Sequence, residues 1–152
     1  GGAGEVVWVT GDDARKQWGV LTDFQVGVDA PVTIRASLLP SKTVGWVTAA
    51  IDAGVSVQAH AGNGVVVGHL PDDAHGRESA MEVIAPLRDL AESSGGQVVV
   101  ERCEASWPDA RDLWGTPRAD WDLMASVKGR FDPDGLLSPG RGIDAIGNRE
   151  VA

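Results

Sequence analysis

The stretch 55-VSVQAHAGNGVVVGHL-70 decides the architecture. Two short runs rich in β-branched residues, 55–60 and 65–70, flank Ala-Gly-Asn-Gly, and Asn and Gly both tolerate the positive φ that a tight turn demands. A β-hairpin is predicted. Upstream of it, Pro31 opens another strand-like run, 32-VTIRASLL-39, and Pro40-Ser41 ends that strand and caps a helix. Val44, Val47 and Ile51 are expected to form the buried stripe of that helix, which Gly54 stops. Downstream, a helix is expected from about 75 to 93, with Ala80, Ile84, Leu87 and Ala91 on one face. Pro86 falls inside it and, at about 3 kcal/mol, should kink or split it. Ser-Ser-Gly-Gly closes the helix, and 97-QVVVERC-103 reads as one more strand.

From Val32 onward the order is therefore strand, helix, strand, strand, helix, strand. That is the α+β, ferredoxin-like βαββαβ pattern, an antiparallel sheet with helices on one face. Before it, the apolar run 5–9 suits a strand, and Asp12 and Asp13 offer an N-cap and first-turn charge to a helix with Ala14, Trp18 and Leu21 at i, i+4 and i+7. After it, Pro117 starts a last helix through Trp121, Met124 and Val127, and Asp132-Pro133-Asp134-Gly135 turns the chain sharply. The expected organisation is an N-terminal strand and helix over 1–30, a ferredoxin-like core over 31–103 and a C-terminal helical tail over 104–152.

Composition narrows the functions. A chain of 152 residues suits one core. With 22 acidic against 13 basic side chains the net charge is -9, which repels polyphosphate and argues against nucleic acid. No run approaches the ~20 apolar residues of a membrane helix, and the start lacks a basic-then-apolar leader, so a soluble, cytoplasmic protein with no transmembrane segment is expected. The single Cys103 excludes an intrachain disulfide and a multi-Cys zinc site.

Residue chemistry by itself offers no self-sufficient active site. His60 and His69 lie near the ends of the hairpin and His75 opens a helix, but a metal needs three or four supported ligands. Partly buried or surface imidazoles are the plainer account. The turn 61-AGNG-64 joins two strands, opens no helix and lacks a following Lys-Ser/Thr, so it fits no phosphate loop. No Gly-x-Ser-x-Gly elbow occurs. Cys103 beside Arg102 has no evident base. The 6 tryptophans, for a chain without tyrosine, fill a core or cover a surface meant for another domain.

The tail adds a resemblance. In 128-KGRFDPDGLLSPGR-141, Lys128, Phe131, Asp132, Pro133, Gly135, Leu136, Leu137, Pro139, Gly140 and Arg141 match the C-terminal signature of FAD-linked oxidases of the vanillyl-alcohol-oxidase type, with Ser138 where Asn is usual. The segment 59-AHAGNGVV-66 is similar to the family's Gly-His-x-Gly-Asp-Gly-Asn strand and turn. Within the family, the Trp-rich helix, 33-TIRASLLPS-41 and 106-SWPDARDLW-114 look most like the FAD-binding subunit of bacterial glycolate oxidase.

The resemblance covers only the C-terminal part of such a subunit. It implies a cap domain with a ferredoxin-like core, and a terminal segment in which Ser138, Pro139, Gly140 and Arg141 dock on a flavin-binding domain. FAD would be held mainly by that preceding domain, whose glycine-rich diphosphate loop is absent here. The implied partners are that domain, the other glycolate oxidase subunits and a small 2-hydroxyacid, and any membrane association would come through the subunits. Metal-binding members carry a second His after the turn and a Glu-His-Gly on a later strand. Here Val67 and Glu101-Arg102-Cys103 stand at those places, so no metal is expected. If this subunit performs hydride transfer, the resemblance implies that Arg35, His60 or Arg102 holds the substrate carboxylate. The alternative is a non-catalytic scaffold that holds a catalytic partner together.

Overall fold

The computed structural model describes residues 7–26, 29–104, 107 and 110–137. Strands β1 (Thr33–Ser37), β2 (Ser56–His60), β3 (Val65–His69) and β4 (Gln97–Arg102) form one antiparallel sheet in the order β2-β3-β1-β4. Helices α2 (Thr43–Asp52) and α3 (Arg77–Glu92) make the two crossovers on one face. The fold is ferredoxin-like. Helix α1 (Gly11–Asp23) precedes the sheet, and α4 (Ala110–Trp114) and α5 (Trp121–Phe131) follow it as a C-terminal helical tail.

The hairpin forms where its composition places it. His60 O accepts from Asn63 N at 3.1 Å and Gly64 N at 3.0 Å, and Asn63 Oδ1 accepts from Val65 N at 3.1 Å. Alternation then sorts each strand into two faces. Ile34, Ala36, Val66, Val98 and Val100 turn to the helices and are buried, with Trp46, Ile84 and Leu87 packed onto them. Gly68 belongs to the same face because a Cβ there would meet Val55 Cγ1 at 2.8 Å.

In α3 the expected stripe of Ala80, Ile84, Leu87 and Ala91 is the buried one. Pro86 does not divide α3, which runs unbroken with Pro86 on its exposed side. In α2 only Val47 of the expected stripe packs against the core, and it is partly buried. Val44 and Ile51 are 74% and 56% exposed, whereas Thr43, Trp46 and Ala50 are buried. The indole decides that face: Trp46 Nε1 donates to Leu87 O at 2.8 Å and so ties α2 to α3.

Of the run 5–9 expected as a strand, 5 and 6 lie outside the described residues, and 7–9 run into α1 as irregular chain. An apolar run becomes a strand only where a neighbour takes its N–H and C=O groups, and residues 7–9 pair with neither edge strand, β2 or β4. Thr10 rather than Asp12 is the N-cap of α1, with Asp12 and Asp13 in its first turn. The short α4 is the first of the helices in the 104–152 segment. Buried Arg88 holds it, donating from Nε to Val98 O at 3.3 Å and from Nη2 to Asp112 O at 2.9 Å. Burial lowers the Arg88 pKa, with the Glu92, Asp112 and Asp89 carboxylates opposing the shift.

Candidate functional site

The sheet face away from α2 and α3 gathers the polar strand residues, and the pairing register places them in three rows. His60, Val65, Ser37 and Gln97 form one row; Gln58, Val67, Arg35 and Val99 the next; Ser56, His69, Thr33 and Arg102 the third. A register shift between Thr33 and Ile34 leaves Glu101 as an extra residue of β4. That bulge brings Glu101 Oε1 to 2.7 Å from Arg35 Nε, both side chains being partly exposed.

The three substrate candidates thus share one part of the fold without meeting. Arg35 and Arg102 are diagonal neighbours with Cα atoms roughly 8 Å apart, Arg35 and His60 roughly 12 Å, and His60 and Arg102 roughly 20 Å, from strand spacing and rise alone. A small 2-hydroxyacid cannot touch all three at once. Arg35, central and half-exposed, is the one that either neighbour could assist. His60 lies exposed at the hairpin turn, opposite Val65.

His69 and Thr33, which the residue pattern did not single out as partners, form the buried polar centre of this face. Thr33 Oγ1 lies 3.1 Å from His69 Nδ1, and His69 Nε2 lies 2.6 Å from Phe24 O. A carbonyl only accepts, so Nε2 bears the hydrogen and, in the neutral ring, Nδ1 accepts from the Thr33 hydroxyl. The signal was present in the hairpin. A turn that pairs His60 with Val65 also pairs Ser56 with His69, which puts His60 and His69 at opposite ends of the ribbon. Among the described residues no three His, Cys, Asp or Glu side chains gather as a metal site requires. Cys103 is half-buried against the core.

The glycine turn has no room for a phosphate either. A Cβ on Gly64 would lie 1.9 Å from Leu38 O, its N–H is taken by His60 O, and its carbonyl accepts from Leu38 N at 2.8 Å. That turn is therefore filled by its own backbone and does not form a phosphate loop.

The second feature is the end of α5. The buried Asp132 carboxylate accepts from Leu136 N at 2.8 Å, from Leu137 N at 3.0 Å and from Lys128 Nζ, while Lys128 Nζ also donates to Leu137 O at 2.6 Å. Gly135, at φ 64, closes the turn with its N–H on Asp132 O at 3.1 Å. The hydrogen bond from Lys128, above all, holds the Asp132 pKa below the usual carboxylate value. Around this lock Phe131, Leu136 and Leu137 are 81%, 76% and 64% exposed. Ser138, Pro139, Gly140 and Arg141, which the resemblance assigns to docking, lie outside the described residues. No helix among the described residues is long and apolar enough to cross a membrane.

The chain matches no family model, no curated protein and no solved structure.

Proposed function

We propose that this chain is the cap and docking tail of an FAD-dependent 2-hydroxyacid oxidase or dehydrogenase of the glycolate-oxidase kind. In this reading it forms the outer part of the substrate pocket, and FAD is held by a separate flavin-binding domain. The observation that supports it most is the lock at the end of α5. Lys128, Asp132 and Gly135, positions of the oxidase signature, are the ones that fix the direction of the chain, and the apolar positions Phe131, Leu136 and Leu137 stand bare beside them. A rigid turn with exposed apolar side chains serves a neighbour better than it serves this domain. On this side of the pocket Arg35 would orient the substrate carboxylate, exchanging part of its contact with Glu101 for it.

The test is to produce this segment together with a flavin-binding portion and add candidate acids. A yellow protein whose spectrum bleaches with glycolate or D-lactate is expected, and a colourless or unreactive product overturns the proposal. A scaffold role is the second reading, favoured by the Arg35–Glu101 ion pair and by the spread of Arg35, His60 and Arg102 across the sheet. The triple variant Arg35→Ala, His60→Ala, Arg102→Ala separates the two in the assembled protein. Unchanged turnover supports scaffolding, and a fall in kcat with assembly intact supports the pocket.

A further inference from the structure

Helix α1 is attached to the rest of the domain at one end. None of its 13 residues is buried, and Trp18 and Leu21 remain 67% and 50% exposed. Among the described residues, the hydrogen bonds that join this segment to the sheet lie at its C-terminal side. Gln58 Nε2 donates to Leu21 O at 2.6 Å, and His69 Nε2 donates to Phe24 O at 2.6 Å. The Phe24 and His69 rings add a tilted contact with centroids 4.6 Å apart.

These contacts have a geometric basis. The last carbonyls of a helix have no partner within it, so donors on a neighbouring surface can both satisfy and tether them. Leu21 and Phe24 are three apart and share a side of the helix end. Because His69 opposes Ser56, Gln58 is its diagonal neighbour on the outer face, at the ~7–8 Å such pairs keep. One turn of helix thus spans one diagonal of the hairpin.

A helix of this length is marginal in water without a packed face, since isolated helices need roughly 12–15 residues even with good propensity. Here the packed face is missing and the attachment is confined to one turn. We propose that residues 7–26 are a displaceable strap, seated on Gln58 and His69, whose release bares His69 and Thr33 beside Arg35 on the outer face. Release leaves the sheet and its helices intact, because the core cluster contains nothing from α1. The strap stands whether or not a flavin domain is the partner.

Hydrogen–deuterium exchange of the intact chain tests this. In the wild type, amides of 11–26 should exchange faster than those of β1 and β3 yet slower than an unstructured peptide. Gln58→Ala and His69→Ala should each speed exchange of 11–26 by roughly five- to tenfold, the equivalent of one hydrogen bond, with β1 and β3 unchanged. Phe24→Ala, outside the core, repeats the test if His69→Ala disturbs the sheet. The strap is ruled out if 11–26 is as protected as β1 or wholly unprotected in the wild type. It is equally ruled out if Gln58→Ala and Phe24→Ala either leave 11–26 unchanged or speed strap and sheet together.

Discussion

At the scale of single residues, Gly64 and Asp132 each show one atom group deciding where the chain goes. Gly64 has φ +74 and faces the Leu38 carbonyl so closely that no side chain fits. Gly64→Ala meets about 1–2 kcal/mol for the left-handed backbone alone and also forces apart the bond from Leu38 N. Its total cost should approach about 3 kcal/mol, the upper part of the usual range for one substitution. For a chain of this size that is a drop in Tm of roughly 6–12 °C, measurable by thermal denaturation. Asp132 makes the opposite case, a charged group that organises the backbone around it. Its folded-state pKa lies below the unfolded value, so its contribution is complete above about pH 4 and is lost as the pH falls through the folded value. The Leu136 and Leu137 amides should therefore lose protection in acid and keep it at neutral pH. Asp132→Asn should show at neutral pH the loosening that the wild type shows in acid, with the sheet unaffected. Amide exchange or NMR of these two residues checks both statements.

At the scale of elements, what was legible in the sequence depended on whether a local pattern had a single physical solution. The stripe of α3 did, because its four small or aliphatic residues alternate with Glu78, Glu82, Asp89 and Glu92, and only one face can enter a core. Helix α2 is apolar nearly all round, so its periodicity permits several faces, and Trp46 reaching Leu87 O selects among them. Strand formation over 7–9 failed for a comparable reason, since pairing is a property of neighbours and not of the run. The candidate site was legible to the same limit. Arg35 and His60 fall on the outer face by alternation, but the ion pair to Glu101 depends on a β4 bulge that no residue pattern announces. Pro86 shows how tertiary packing overrides propensity, for α3 continues through it with Ile84 and Leu87 buried on either side. An exposed proline within a helix still forfeits its hydrogen bond to the preceding turn. Pro86→Ala should accordingly stabilise the domain by about 1–3 kcal/mol, seen as a raised denaturation midpoint with an unchanged m-value.

At the scale of the whole molecule, the core cluster lies between the sheet and the α2–α3 layer, with β4 extending contact to the α4 side, while α5 contributes no buried residue. Leu123, Met124 and Val127 on α5 are exposed together with Phe131, Leu136 and Leu137 beyond it. Side chains that the domain does not bury add little to its own stability, and their replacement typically moves it by no more than about 0.5 kcal/mol. The same side chains at the centre of an interface are worth about 2 kcal/mol or more apiece, and aromatic anchors most. The two scales give opposite expectations for one variant. Phe131→Ser with Leu136→Ser should leave the Tm of the isolated chain within about 2–4 °C of wild type. It should also weaken association with a flavin-binding portion by at least about thirtyfold. Calorimetric melting and titration of the two proteins measure both quantities on the same sample. A large fall in Tm would place these residues in the fold of this domain, and an unchanged affinity would remove the α5 lock from the docking surface.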